Sequence, residues 1–236
     1  MTIGITAVAL AAALASVGAA VAEPYPAMAP IAQYAMAKAD EIALARSAAP
    51  PSVSADAEVM VLGEHGYETA ASGHNGFVCM VQRAWASGLH DDGFWNPKLR
   101  GPLCFNALAA RSVMPAYLER TRWVLAGVSR AEIEVRIRAE VAAGRYTPAA
   151  PGAMSFMLSK GGYLGDRAGG PWHPHLMFFQ PTAVGGPASW GANLPGAPLM
   201  AGSDDVEPTT TFFVLVAKWS DGTPDAAQAP ACHMAM

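Results

Sequence analysis

The chain has 236 residues, of which 52% are hydrophobic and only 14% are charged, and its net charge at pH 7 is -4. This length is enough for one ordinary domain with a substantial core. The negative net charge provides no electrostatic basis for binding nucleic acid or an anionic membrane surface, so we expect neither as a partner.

The first 22 residues have the composition of a secretory signal. They contain no charged side chain, and Ala20 and Ala22 match an A-x-A cleavage site after an apolar core of the expected length. We therefore predict a signal peptide over residues 1–22, a mature chain of 23–236 that forms a single α+β domain, and a periplasmic or secreted location. The missing Lys and Arg are atypical of a signal, and the alternative is an uncleaved anchor. After signal removal we expect no membrane span.

The mature chain begins with one predicted helix and three predicted strands. Apolar residues recur at helical spacing over residues 31–46, which predicts an amphipathic helix. The following stretch divides at Gly-containing turns into β-rich pieces at 58–63, 66–71 and 76–83. An antiparallel meander is the simplest arrangement of three such strands.

Two helical segments follow these strands. Residues 106–126 are predicted to be helical, with Pro115 marking a kink or the start of a second helix. Ser129 and Glu132 match a capping box, in which the Ser hydroxyl accepts from an early helix amide while the Glu reaches back to the cap amide. The Arg residues of 111–145 are interspersed with Glu, which is typical of a solvated helix surface.

Three further strands are predicted at 153–159, 172–180 and 209–219, and the last is apolar on both faces. Residues 181–208 are rich in Gly and Pro and show no period, and their Trp and Leu residues predict an ordered covering loop. The element order is α-βββ-αα-βββ. It predicts an α+β fold, with an antiparallel sheet of five to six strands and helices packed mainly on one face.

The cysteines Cys79, Cys104 and Cys232 all lie in the exported part, where an oxidising compartment allows two of them to join. We expect a Cys79–Cys104 disulfide, because both residues adjoin apolar segments whereas Cys232 lies in an Ala- and Pro-rich tail. The alternative is a free Cys104 that acts as a nucleophile with His173 as its base.

The sequence Trp172-His173-Pro174-His175 is the strongest candidate for chemistry. Residues two apart in an extended chain face the same side, so both imidazoles can converge on one metal ion. A zinc site needs a third protein ligand, and His74 is one candidate for it. The structural interpretation is that both imidazoles hydrogen-bond to the covering loop and orient it.

Known hydrolase and nucleotide signatures are absent: there is no G-x-S-x-G, S-x-x-K, H-E-x-x-H, Walker A or G-x-G-x-x-G. Loop aromatics beside Gly, Pro and Asn either form a binding face or close the core at the loops. The candidate ligand-binding residues are Trp95, Asn96, Trp172, His173, His175, Trp190 and Asn193.

The leading hypothesis from these patterns is an exported, non-enzymatic module that binds a small ligand or a protein partner through the 160–172 and 181–208 loops, with no cofactor. One alternative is an extracytoplasmic enzyme that depends on a divalent transition metal, zinc above all, bound by His173 and His175 with His74. A structural envelope protein is the other alternative.

Overall fold

The computed structural model describes residues 24–165, 172–182, 186–203 and 206–226. Over these ranges the chain forms an eight-stranded sheet with helices packed against it, so the α+β class is confirmed. The predicted signal segment 1–22 and Cys232 lie outside the described residues. None of the helices in the described part is long and apolar enough to cross a membrane.

The strands are β1 Glu58–Gly63, β2 Gly66–Ala71, β3 Val78–Gln82, β4 Gly101–Phe105, β5 Met154–Met157, β6 His175–Pro181, β7 Leu199–Ser203 and β8 Thr209–Leu215. The α-helices are α1 Lys38–Arg46, α2 Pro51–Ser54, α3 Ala107–Ser112, α4 Met114–Leu125 and α5 Arg130–Ala142. Short 3-10 turns lie at Ile31–Gln33, Ala84–Ala86 and Pro187–Trp190.

The strand order is β2-β1-β3-β4-β5-β6-β8-β7, and β1 pairs with β3 in parallel. The predicted sheet of five to six antiparallel strands is therefore wrong in both respects. The sequence patterns miss β4 because Pro102 lies inside it, and a proline argues against a central strand. They miss β7 because it lies in the segment 181–208, whose Gly and Pro content is typical of a loop.

The predicted meander of β1, β2 and β3 is also wrong, because the chain crosses the start of β1 after leaving β2. The backbone amides of His74 and Asn75 donate to the Asp56 carbonyl during this crossing. Gly73 passes so close to β1 that a Cβ atom there would lie 2.2 Å from the amide nitrogen of Glu58. Only glycine fits this approach, and β3 then runs alongside β1 in the same direction.

Helices cover both faces of the sheet, which corrects the expectation that they lie mainly on one. Helix α1 packs on β1, β3 and β4, over the face that carries Cys79, Val81 and Cys104. Helix α3 packs over the opposite face, which carries Met80 and Leu103. Consecutive residues of β3 point to opposite sides, so a strand that is apolar at every position is buried on both.

The first predicted helix begins later than its apolar pattern indicates. Helix α1 starts at Lys38, and the Tyr34 carbonyl four residues earlier accepts from Nε of Arg83 at 2.7 Å. The helix then buries Glu41, which pairs with Arg83. Local periodicity carries no information about this distant arginine.

The Ser129 half of the predicted capping box and the predicted disulfide are confirmed, whereas the Glu132 carboxylate accepts from Nε of Arg136. Oγ of Ser129 accepts from the Glu132 amide at 3.2 Å, and α5 follows directly. Cys79 and Cys104 lie opposite each other on β3 and β4 and form a buried disulfide. Because its sulfur is in this bond, Cys104 is not available as a free nucleophile.

Candidate functional site

A cavity of about 420 Å³ lies on the α4 side of the sheet. Its floor consists of apolar side chains from β5, β6 and β8, namely Met157, Met177, Phe179 and Phe213. Tyr117 and Arg120 of α4 form one wall. Strand alternation explains the floor, since positions 175, 177 and 179 of β6 all point to this face.

His175 is the first residue of β6 and lines this cavity. Its Nδ1 lies 2.9 Å from the backbone oxygen of His173. A carbonyl oxygen only accepts, so we assign the proton to Nδ1, and Nε2 of the neutral ring is then an acceptor. Within the described residues, Nε2 has no hydrogen-bond partner.

The surroundings of His175 favour its neutral form. The side chain is only 8% exposed, and its ring meets Trp172 and Phe213 edge to face at centroid distances of 5.2 and 5.6 Å. Burial lowers the pKa of His175, and the hydrogen bond to the His173 carbonyl acts in the opposite direction without reversing the shift. The cavity therefore contains a neutral acceptor in an aromatic environment.

Arg120 enters the cavity wall already paired. Its guanidinium donates to the carbonyl oxygens of Trp85 and Ser87 at 3.2 and 3.0 Å and forms an ion pair with Glu207. Nε of Arg120 is buried and has no hydrogen-bond partner in the part of the chain that the structure describes. Because arginine and glutamate neutralise each other, this wall is polar without a net charge.

Tyr117 adds a neutral hydroxyl to the same wall. Burial, followed by the nearby charge of Glu207, raises the pKa of Tyr117 to about 12, so the phenol keeps its proton at neutral pH. Its ring packs against Phe105 at a centroid distance of 5.7 Å. The groups around the cavity are thus neutral or internally paired.

Two of the predicted site residues lie beside the cavity and support it. Trp172 packs on His175 and donates from Nε1 to the Ser159 carbonyl at 3.0 Å. His173 places Nδ1 2.7 Å from Oδ2 of the buried Asp225, which connects β6 to the C-terminal segment. Of the candidate ligand-binding residues predicted from sequence, only His175 lines this cavity within the described part of the chain.

Trp95 and Asn96 lie elsewhere, and Trp95 belongs to a second core cluster around Tyr34. Trp95 is 8% exposed, and Oδ1 of the buried Asn96 accepts from the Lys98 amide at 2.9 Å to form a turn. These contacts match the interpretation of loop aromatics as groups that close the core.

Trp190 and Asn193 lie on the segment that precedes β7. Trp190 is 56% exposed and packs on Phe212. In β8, Thr211 and Phe213 line the cavity, so Phe212 between them points away from it. The Asn193 amide donates to the Ala201 carbonyl at 2.8 Å and accepts from the Ala201 amide at 2.9 Å. Asn193 therefore covers the outer edge of β7.

The three histidines of the predicted metal site are not brought together. His74 precedes β3 and His173 precedes β6, and these strands run in opposite directions, so the two residues lie at opposite ends of the sheet. Nδ1 of His74 instead lies 3.0 Å from Oδ1 of Asp56. In the described ranges, no three His, Cys, Asp or Glu side chains are arranged to hold a metal ion.

Sequence reasoning missed Tyr117, Arg120 and Glu207. Arg120 is only 4% exposed, which contradicts its interpretation as part of a solvated helix surface. A signal was present in the spacing of α4, since Val113, Tyr117, Arg120 and Val124 recur at three- and four-residue steps. An arginine inside such an apolar stripe indicates a buried ion pair. Glu207 lies among Gly and Pro residues and carries no comparable signal.

Comparison with protein-family models, curated proteins and solved structures finds no match for this chain.

Proposed function

We propose that this protein is an exported, non-enzymatic module that binds a small, mainly apolar molecule in the cavity between α4 and the sheet. The observation that carries the proposal is the Nε2 acceptor of His175, which has no hydrogen-bond partner among the described residues and belongs to a largely buried ring that lines a cavity of about 420 Å³ with an apolar floor. The size of this cavity and its apolar floor are typical of small-molecule sites, and polar side chains such as Gln82, Thr209 and Thr211 also line it.

The two segments that sequence analysis selected as binding loops contribute to this cavity. Leu164 comes from the 160–172 segment, and Gly202 and Glu207 come from the 181–208 segment. Met157 and Met177 of the floor have flexible thioether side chains, which adapt to the shape of an apolar ligand. Export is proposed from the 1–22 segment, and the buried disulfide agrees with an oxidising compartment.

Another depression, of about 450 Å³, is less suited to an apolar ligand. It is lined largely by charged side chains that already pair with one another, including Arg145 with Glu140 and Arg122 with Glu119. A ligand there would compete with these ion pairs and with water.

Methyl NMR on methionine-labelled protein tests the proposal with a library of apolar fragments. A binder is expected to shift the methyl signals of Met157 and Met177 in the cavity floor. The signal of Met36, which packs on the opposite face of the sheet, serves as an internal control. A library that leaves both floor methionines unshifted would contradict the proposal and favour a structural envelope protein.

A blocking variant gives the same test from the protein side. A Cβ added at Gly202 has room, since its nearest heavy atom is Cε2 of Phe213 at 3.7 Å. Gly202→Leu is expected to fill part of the cavity and to weaken every fragment that shifts Met177. Gly202→Ala is the matched control, because it changes the same backbone position but adds one methyl group. Unchanged binding in Gly202→Leu would place the fragments elsewhere.

A further inference from the structure

The position of the proton on the His175 ring determines which ligand groups can hydrogen-bond to Nε2. Its Nδ1 proton is committed to the His173 carbonyl at 2.9 Å, and the neutral ring then has a lone pair on Nε2. Water can reach Nε2 in the open cavity, so a ligand that covers this nitrogen must replace the hydrogen bond to water or leave the acceptor unpaired. The group that meets Nε2 must therefore carry an O–H or N–H.

The charges around the cavity are paired before a ligand arrives. Arg120 pairs with Glu207 at the wall, and Arg83, which also lines the cavity, pairs with Glu41 at 2.9 Å. A carboxylate or ammonium on the ligand would have to break one of these pairs or stay unpaired in a desolvated site, and both are costly. The arrangement disfavours a charged ligand of either sign.

The floor of the cavity can contact the apolar part of a ligand. Phe213 meets the His175 ring at 5.6 Å, and Met177 and Phe179 continue the floor along β6. Each apolar contact of a bound molecule therefore lies on the same side of the sheet as Nε2 of His175. A molecule with one donor group at the end of an apolar skeleton matches this pattern.

We infer that the ligand is an uncharged, mainly apolar molecule whose hydroxyl or amide N–H donates to Nε2 of His175. This inference rests on the proposed function, because it names the class of molecule that the cavity binds. The imidazole acts here as an acceptor that selects the ligand, and no bond is made or broken.

Four probes of one skeleton test the inference on the unmodified protein. They are cinnamyl alcohol, its methyl ether, cinnamate and cinnamylamine, titrated while the Met157 and Met177 methyl signals are followed. The alcohol is expected to bind about tenfold more tightly than the ether, which has an acceptor oxygen but no donor. Cinnamate and the protonated amine are expected to bind more weakly than the alcohol.

Two variants then assign the preference to Nε2. In His175→Asn the amide nitrogen can replace Nδ1 as donor to the His173 carbonyl, while nothing replaces Nε2. This variant is expected to bind the alcohol and the ether equally. In His175→Gln the side-chain oxygen can occupy the Nε2 position, so the preference for the alcohol should be retained at least in part.

The outcomes separate this inference from the proposed function. If the ether equals the alcohol in the unmodified protein, or a charged probe binds most tightly, the inference is wrong although the cavity still binds ligands. A preference for the alcohol that persists in His175→Asn also overturns it. If neither the probes nor the fragment library shifts the floor methionines, the proposed function fails, and the inference fails with it.

Discussion

Nη2 of Arg83 lies 2.9 Å from Oε1 of Glu41, with the arginine side chain 0% and the glutamate side chain 1% exposed. The same guanidinium donates to the carbonyl oxygens of Tyr34 and Val81, and Glu41 also accepts from the Leu62 amide. This network connects the first helix to the central strands. Removing either partner would leave the other charge buried and unpaired, which destabilises the folded state.

Arg83→Met is expected to destabilise the protein by about 3–5 kcal/mol, because it leaves the Glu41 carboxylate buried without a partner. The double variant Glu41→Leu, Arg83→Met should recover part of that loss, since no buried charge remains. Urea unfolding followed by circular dichroism measures both. Arg138→Met, which removes the exposed Arg138–Glu134 pair, is the control and should change little. A double variant less stable than Arg83→Met alone would contradict the assignment.

The Cys79–Cys104 disulfide closes a segment with a sequence separation of 25. Replacing both cysteines with alanine is expected to lower the free energy of unfolding by about 3 kcal/mol, because the unfolded chain gains conformational freedom. Thiol titration of the denatured protein before and after reduction checks the bond itself. The reduced sample should contain two more thiols than the unreduced one, and an equal count would disprove the disulfide.

Acidification is expected to destabilise the protein through His175. Burial places its folded-state pKa below the unfolded value of about 6.5, so the folded state binds fewer protons than the unfolded state. The contribution is absent well above pH 6.5 and becomes increasingly unfavourable as the pH falls from about 6.5 toward the folded-state pKa. Stability measured between about pH 7 and pH 5 should therefore fall more steeply in the unmodified protein than in His175→Asn. Parallel curves for the two proteins would argue against this role of His175.

Asn193 is expected to prevent strand pairing at the β7 edge. Asn193→Gly removes both hydrogen bonds to Ala201 while allowing the backbone φ of 60° found at this position. The exposed amide and carbonyl of Ala201 would then be open to another chain, so self-association should rise with concentration in analytical ultracentrifugation. Leu194→Ser, in the same loop, leaves the edge closed and should stay unchanged. Equal sedimentation of both variants would exclude the role.

The cap of α5 provides a local test of helix stability. Ser129→Ala removes the acceptor of the Glu132 amide and is expected to cost about 1 kcal/mol. Ser129→Asp keeps an acceptor at the cap and should retain most of the stability. Thermal unfolding of the two variants distinguishes loss of the cap from a general effect of substitution.

The candidate site was only partly predictable from sequence. His175 was selected as half of an H-x-H pair. In the structure the two histidines have different surroundings, because His173 faces Asp225 and His175 lines the cavity. Arg120 and Glu207 are 87 residues apart, and no local pattern relates two positions at that distance. The cavity exists only where their elements meet.

The elements whose causes lie within a few residues were predictable from the sequence. The Ser129 cap starts α5, and β-branched and apolar residues form β1 and β8. Tertiary structure alone decided the order of the strands, the crossing at Gly73, the strands β4 and β7, and the burial of Glu41 and Arg120. The physical reason is that strand pairing and ion-pair burial depend on groups distant in the chain, whereas caps and turns depend on neighbours.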